Sequence, residues 1–120
     1  MRSAEYLTKP EQYAKVYSKG SSRVDGLLVV KALPNEIAST RCGFSVSRRV
    51  GGAVTRNRVK RLLREILRQA PLKTGWDIIF IARPSAAGAD YWQLKKSAEG
   101  LLSQARLLVG RNEKVSLKND

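Results

Sequence analysis

The sequence of 120 residues contains no histidine. Histidine is the commonest general base and metal ligand, and it activates the nucleophile in Ser–His and Cys–His pairs. The ten Asp and Glu residues are scattered, without a close pair or the spacing of metal ligands. We therefore expect no catalytic residue and no metal site among the side chains of this protein.

Cysteine occurs once, as Cys42, so the chain cannot form an internal disulfide. This composition is typical of a reducing cytoplasm. Cys42 lies in an alternating apolar segment and is expected to be a small buried hydrophobe rather than a reactive thiol. Long apolar runs are also missing, and no signal peptide opens the chain, which predicts a cytoplasmic protein without membrane contact.

Acidic residues are outnumbered by 23 Lys and Arg residues, which gives a net charge of +13. The excess is concentrated in residues 41–68, where nine basic residues stand with a single acid, Glu65. A surface this basic binds a polyanion by releasing condensed counterions, with an affinity that falls as salt rises. Nucleic acid is favoured over an anionic membrane, because the apolar side of this segment is needed for the core.

The basic segment contains a predicted helix that starts near Ala53, after the turn signal Gly51-Gly52, and ends before Pro71. Projected at about 100° per residue, its apolar residues fall on one arc: Val59, Leu62, Leu63, Ile66, Leu67 and Ala70. A neighbouring arc is cationic, with little internal neutralisation: Asn57, Lys60, Arg61, Arg64 and Arg68. We expect the first arc to pack in the core and the second to face the polyanion.

A short helix is predicted near the start of the chain, after a loose arm formed by residues 1–7. Tyr13, Val16 and Tyr17 repeat at i, i+3 and i+4, and Gly20 is typical of a helix end. A helix of about ten residues is not stable alone. The stripe must therefore pack on another element, and aromatic stripes at this spacing are usually core.

Three further segments predict strands. Residues 27–33 and 41–47 are expected to form an antiparallel pair after a turn at residues 21–26, and residues 76–82, apolar on both alternations, predict a central strand. Asp90 can cap a last helix. The order α-β-β-α-β-α predicts an α+β fold, a compact α-β sandwich with helices packed on a small mixed sheet. We expect one domain over residues 1–109 and a polar, disordered tail over residues 110–120.

The segment from Phe44 to Arg64 resembles the signature of the bacterial ribonuclease P protein family. In that family, F-S-V-S-[KR]-[KR] is followed by a glycine turn and by A-V-x-R-N-R-x-K-R-x-x-R. Here the same order is FSVSRR at residues 44–49, then Gly51-Gly52, then AVTRNRVKRLLR at residues 53–64. Two weaker matches flank it, F-x-x-V-[FY]-x-x-G around Tyr13 and D-[IY]-[IV]-x-I-[AV]-R at residues 77–83. The resemblance covers roughly residues 5 to 109.

This resemblance implies a fold and a function. The fold is the ribosomal protein S5 domain 2-like fold, in which the R-N-R helix makes a left-handed βαβ crossover, whereas about 98% of such units are right-handed. The implied function is that of the protein subunit of ribonuclease P, which removes the 5′ leader of precursor tRNA. The family's catalyst is a large RNA subunit that holds Mg²⁺, so the protein's expected partners are this RNA and precursor tRNA.

The resemblance also implies two binding surfaces. The side that faces the catalytic RNA is expected to consist of Arg48, Arg49, Arg56, Asn57, Arg58, Lys60, Arg61, Arg64 and Arg68. The leader of precursor tRNA is expected in a cleft formed by Tyr13, Tyr17, Lys31, Phe44 and Val46. Tyr13 and Tyr17 stand where the family often has Phe, and Lys31 stands where it commonly has an aromatic residue. The cleft of this protein should therefore depend more on charge and less on stacking.

Two other interpretations use the same charge pattern. A non-enzymatic RNA-binding module, such as a small ribosomal protein or an RNA chaperone, would have a similar composition and basic helix. Cleavage of precursor tRNA in the presence of the matching catalytic RNA distinguishes the two. A DNA-binding helix-turn-helix needs two adjacent helices joined by a tight turn, but here a predicted strand follows Pro71.

Overall fold

The computed structural model describes residues 5–109. The predicted tail, residues 110–120, lies outside this range. In chain order the elements are β1 Glu5–Tyr6, α1 Pro10–Lys19, β2 Ser21–Val24, β3 Leu28–Pro34, β4 Arg41–Ser45, α2 Ala53–Gln69, β5 Trp76–Ala82, a 3₁₀ turn Pro84–Gly88 and α3 Tyr91–Gln104. The predicted α+β class, with helices packed on a small mixed sheet, is confirmed.

The sheet has five strands in the order β1-β4-β5-β3-β2, with β5 in the centre as predicted. β5 runs antiparallel to β3 and parallel to β4. The predicted antiparallel pair of β3 and β4 is therefore wrong, since β5 lies between them. β5 can pair in parallel with β4 because α2, which connects them, is long enough to carry the chain back to the start of the sheet. The continuous apolar sequence of β5 also suits a central strand covered on both faces. The left hand of this crossover stays a prediction.

Both edges of the sheet are strands that the sequence did not predict. β2 replaces the expected turn, and all four of its side chains are exposed, so it carries no apolar alternation. β1 replaces part of the expected loose arm: Leu7, just beyond it, donates its backbone N–H to Cys42 O at 2.9 Å and is only 5% exposed. A strand of two residues is too short to have a detectable period.

The helices cover the two faces of the sheet unequally. On one face, α2 and α3 pack over a large apolar core that includes Leu28, Phe80 and Leu63. On the other face, α1 alone packs on β3 and β5, where buried Val16 joins Leu7 and Ile79 in a smaller cluster. The second face is therefore covered less completely than the first, and Val29, Lys31 and Ile81 on it are half-buried.

Candidate nucleic-acid interface

The exposed side of α2 carries one row of polar residues at spacings of four, three and four. These residues form the α2 stripe: Asn57, Arg61, Arg64 and Arg68. The opposite side of the helix is buried through Val59, Leu63, Ile66 and Leu67. At 1.5 Å per residue the stripe extends over about 16 Å. The predicted division of α2 into a core side and a cationic side is thus present in the fold.

Arg64 is held at one flank of α2 by an aromatic ring. Its guanidinium carbon lies 5.8 Å from the centroid of the Phe44 ring. The Phe44 ring in turn lies 6.0 Å from that of Tyr6 and 6.2 Å from that of Phe80. A cation over an aromatic ring is worth about 0.5–1 kcal/mol at an exposed site, so this contact helps to hold the exposed Arg64 side chain above the end of β4.

This contact changes the place of two residues that were predicted to line the leader cleft. Phe44 and Val46 belong to the core on the α2 side of the sheet, and Val46 is buried there. They do not share a face with Tyr13. The side chains of a strand alternate between faces, and in β4 it is Gly43 and Ser45 that point toward the α1 side.

The two arginines of the R-N-R triplet bind carbonyl oxygens of their own protein. Arg58 donates from one terminal guanidinium nitrogen to Ala89 O at 2.8 Å and from the second terminal nitrogen to Ala87 O at 3.5 Å. Arg56 donates from Nε to Gly51 O at 3.1 Å. Both side chains are half-buried, whereas Asn57 between them is exposed. Arg58 thereby fixes α2 to the residues that precede α3, a structural contact that the charge pattern did not indicate.

Arg68 pairs with Glu65 one turn earlier on α2. Glu65 also accepts a hydrogen bond from Gln69 Nε2 at 3.0 Å. Little internal neutralisation was expected on this side of α2, and the Arg68–Glu65 pair neutralises one charge at the end of the helix. The spacing of three residues between Glu65 and Arg68 was the signal that could have identified this pair. The unpaired positive charge of the α2 stripe is thus concentrated on Arg61 and Arg64.

The turn between β4 and α2 presents Arg48 and Arg49 to solvent. The turn is anchored by buried Val50, whose N–H donates to Ser47 O at 3.0 Å. Gly51 follows with φ +151°, and a Cβ there would lie 3.1 Å from Thr55. Of the two glycines, Gly51 is therefore the one that the turn requires. Lys60, the remaining predicted RNA ligand, is half-buried on α2.

Tyr13 lies directly on the backbone of β4. A Cβ added to Gly43 would be 2.6 Å from the Tyr13 hydroxyl and 2.7 Å from two ring carbons. The ring is half-buried, and it packs against the small cluster around Val16 and Ile79. A glycine inside an alternating strand is a signal for such a close approach. Gly43 is thus a site residue that the sequence analysis missed.

Tyr17 and Lys31 lie on the same face of the sheet as Tyr13. Tyr17 follows Tyr13 by one helical turn and is 41% exposed. Lys31 shares its face of β3 with Leu33, which packs in the cluster under α1, and its Nζ lies 2.6 Å from Ser22 Oγ. The register aligns Lys31, Ile79 and Gly43 in one row across the sheet. We call Tyr13, Tyr17, Lys31 and Gly43 the α1 cleft.

Arg41, the first residue of the basic segment, is neutralised within the fold. It donates from Nε to Asp77 Oδ1 at 2.8 Å and from a terminal nitrogen to Oδ2 at 2.7 Å. Asn35 also donates to Asp77 Oδ1, at 2.8 Å. The hydrogen bonds to Asp77 raise the pKa of Arg41, although burial opposes this shift. The pair joins β4 to β5, and Arg41 adds no free charge to the α1 cleft.

Within residues 5–109, no group of three or more Cys, Asp and Glu side chains is placed to hold a metal ion. None of the helices in the same range is long and apolar enough to cross a membrane. The chemistry that the described surface offers is cationic and aromatic, and its two parts lie on opposite faces of the sheet.

Comparison with known proteins gives one consistent family. The family model described as Ribonuclease P matches residues 1–106. The chain is 46% identical over 120 residues to the ribonuclease P protein component of Dehalococcoides mccartyi, with all of both chains covered. It is 41% identical over 103 residues to that of Caldanaerobacter subterraneus, covering 84% of this chain and 89% of the relative.

Two solved structures of RNase P proteins also match this chain. The RNase P protein of Staphylococcus aureus matches with a TM-score of 0.80 and 34% identity, covering 88% of this chain and 98% of the other. The RNase P protein of Thermotoga maritima matches with a TM-score of 0.76 and 28% identity, covering 83% of this chain and 96% of the other.

Proposed function

Since the chain belongs to the ribonuclease P protein family and is the protein subunit of that tRNA-processing ribonucleoprotein, we propose how it divides its surface between two RNA molecules. The α2 stripe, together with Arg48 and Arg49, binds the catalytic RNA subunit. The α1 cleft binds the unpaired 5′ leader of precursor tRNA. Mg²⁺ is held by the RNA subunit, which cleaves the leader, and the assembly works in the cytoplasm.

The observation that carries the proposal is the one-sided exposure of α2. Arg61 and Arg64 are exposed without an acidic partner among the described contacts, while the opposite side of the helix is packed in the core. A rigid row of cations suits a structured phosphate surface, because the helix does not have to reorganise when it binds. Arg48 and Arg49 extend the row past the start of the helix.

The α1 cleft has the chemistry of a site for a single strand. Tyr17 is accessible enough to stack on a base, and each stacked base contributes about 1–3 kcal/mol with little sequence preference. Tyr13 lies against Gly43 and forms the floor of the cleft. The Lys31 amine, in the row beside Ile79, supplies positive charge for the phosphates. We assign Tyr17 and Lys31 the direct contacts and Tyr13 the shape of the cleft.

In this assignment the protein binds and orients the catalytic RNA and the leader, and it does not move a proton or hold the attacking water. Arg56 and Arg58 stabilise the geometry of α2 through their carbonyl contacts. Their loss would weaken both RNA surfaces through the fold, so they are poor probes of either surface. Arg61 and Arg64 are better probes of the RNA-subunit side.

The test is a reconstituted holoenzyme with two sets of variants. Tyr17→Ala should weaken binding of precursor tRNA by about 1–3 kcal/mol and leave mature tRNA binding nearly unchanged. Arg61→Ala with Arg64→Ala should weaken assembly with the RNA subunit and leave the ratio of precursor to mature affinity unchanged. Arg23→Ala, which removes an exposed charge from β2, is the matched control.

Two outcomes would contradict the proposal. If Tyr17→Ala lowers precursor and mature tRNA affinity equally at an unchanged melting temperature, the cleft assignment is wrong. If Arg61→Ala with Arg64→Ala leaves assembly with the RNA subunit unchanged, the assignment of the α2 stripe is wrong.

A further inference from the structure

Trp92, in the first turn of α3, is the most exposed aromatic side chain of the chain, with 70% of its surface accessible. It lies outside the family signature, and neither the α2 stripe nor the α1 cleft includes it. An indole ring buries up to about 250 Å² of surface when it finds a partner. Its surroundings indicate what that partner is.

The Trp92 ring packs against the ring of the preceding residue, Tyr91. The neighbouring Tyr91 is half-buried against the main core, and the two ring centroids are 4.9 Å apart with their planes at 88°. The start of α3 is fixed because Gln93 N–H donates to Asp90 Oδ1 at 2.8 Å. This edge-to-face contact leaves a face of the indole free for another planar group.

The position of Trp92 relative to α2 follows from two contacts. On one flank of α3, Ser97 donates to the Asp25 carboxylate at 2.7 Å, so this flank faces the turn between β2 and β3. The other flank, which begins with Tyr91, therefore faces α2. Arg58 of α2 confirms this by donating to Ala89 O, three residues before Trp92.

Trp92 therefore lies on the flank of α3 that faces α2, and both helices carry exposed cations there. Arg61 follows Arg58 by one turn on α2, and Lys96 follows Trp92 by one turn on α3, and both are exposed. Val54, one turn before Arg58, is 84% exposed and adds an apolar side to the same surface. A second copy of this chain, with its net charge of +13, would bring like charges together here. An apolar protein partner would have to desolvate the cations.

We infer that Trp92 stacks on an unpaired base of the catalytic RNA subunit, with Arg61 and Lys96 bound to the flanking phosphates. The inference rests on the proposed function and extends it, because it adds a base contact to a surface that otherwise binds phosphates. The RNA subunit is favoured over the leader because Trp92 lies on the α2 side of the sheet, across from the α1 cleft. Aromatic stacking with adjacent cations is the usual way in which proteins hold unpaired bases.

The first experiment measures the unmodified side chain. In a Trp76→Phe variant, Trp92 is the only tryptophan. Its fluorescence should be quenched as the RNA subunit is added, and the quenching should saturate together with assembly. Precursor tRNA alone should not produce this saturable quenching. Assembly without any change in Trp92 emission would overturn the inference.

The second experiment separates stacking from apolar contact. Trp92→Ala and Trp92→Leu should each lower affinity for the RNA subunit by about 5- to 150-fold, whereas Trp92→Phe, which keeps an aromatic face, should retain most of it. Full affinity of Trp92→Leu, or a loss confined to precursor tRNA, would refute base stacking by the RNA subunit. Formation of a dimer that depends on Trp92 would refute it as well.

The double variant Arg61→Ala with Arg64→Ala, measured with the same RNA, separates a failure of the Trp92 contact from a failure of the proposed function. If it weakens assembly and Trp92→Ala does not, the inference about Trp92 fails while the proposed function stands. If neither variant weakens assembly, the α2 side is not the RNA-subunit surface and both fail.

Discussion

Gly43→Ala tests the geometry of the α1 cleft with a single methyl group. The added Cβ would lie 2.6–2.7 Å from the Tyr13 hydroxyl and ring, so the ring must retreat by about 0.8 Å to reach an ordinary contact of 3.4 Å. Overpacking of this kind costs about 1–3 kcal/mol. Replacing glycine by alanine within a strand returns about 0.5–1 kcal/mol. We therefore expect a net loss of up to about 2.5 kcal/mol in the free energy of unfolding.

The same change in a Tyr13→Ala background should have the opposite sign. Without the ring there is no clash, so Gly43→Ala should stabilise the protein by about 0.5–1 kcal/mol. Urea unfolding of the unchanged protein, of the two single variants and of the double variant gives the coupling energy between Gly43 and Tyr13. In the holoenzyme, Gly43→Ala should also weaken precursor tRNA binding, because the displaced ring narrows the cleft, while assembly with the RNA subunit stays unchanged.

Gly26→Ala is the control, since a Cβ at Gly26 has nothing within 4 Å. If Gly43→Ala destabilises the protein equally with and without Tyr13, the strain does not come from the ring and the description of the cleft floor is wrong. Loss of RNA-subunit binding by Gly43→Ala at unchanged stability would contradict the separation of the two faces.

Three other predictions concern charge and burial. If Arg48, Arg49, Arg61, Arg64 and Arg68 all meet phosphates, the logarithm of the RNA-subunit binding constant should fall with the logarithm of salt at a slope of about −3.5 to −4.5, and a slope near zero in a salt titration would contradict the proposed face. Burial raises the pKa of the Cys42 thiol to about 12, so a thiol reagent at neutral pH should modify it only at the rate of unfolding; rapid modification of the folded protein would contradict this. Burial alone would raise the pKa of Asp25, but hydrogen bonds from Ser97 and from the N–H groups of Leu28 and Leu27 outweigh it and lower the pKa. The charged carboxylate therefore stabilises the fold above its ordinary value of 3.8, and this contribution is lost as the pH falls through the lowered value. Ser97→Ala should reduce the acid dependence in urea unfolding measured from pH 6 to pH 2 by about 1 kcal/mol, and an unchanged dependence would show that this bond does not hold the charge.

Local patterns predicted the elements whose signals are continuous along the chain. The limits of α2, the capping of α3 by Asp90 and the central place of β5 all follow from periodicity, a cap residue and a two-sided apolar run. The neighbours of β5 could not be predicted in this way. Strand pairing joins residues that are distant in sequence, and nothing local in β3 and β4 indicates that a third strand lies between them.

The site was predicted by residue type more reliably than by role. The exposed α2 stripe follows from helical spacing, and Tyr13, Tyr17 and Lys31 do share a face. Phe44 was assigned to the wrong face because the resemblance identifies a segment, whereas the pleat decides where each side chain points. Arg58 was indistinguishable from Arg61 as a charge, since its contacts with Ala87 and Ala89 arise only when the chain after β5 folds back onto α2.

The placement of α1 and α2 on opposite faces of one sheet keeps the α1 cleft and the α2 stripe a fixed distance apart. Two packed layers, the sheet and α2, separate the cleft from the stripe by a distance on the order of 20 Å, and a five-stranded sheet with a packed core does not deform to shorten it. A strand of RNA that touches both surfaces has to travel around an edge of the sheet, past β1 or past β2. If both surfaces bind RNA as proposed, the length of unpaired RNA, rather than its sequence, decides whether one molecule reaches both sides.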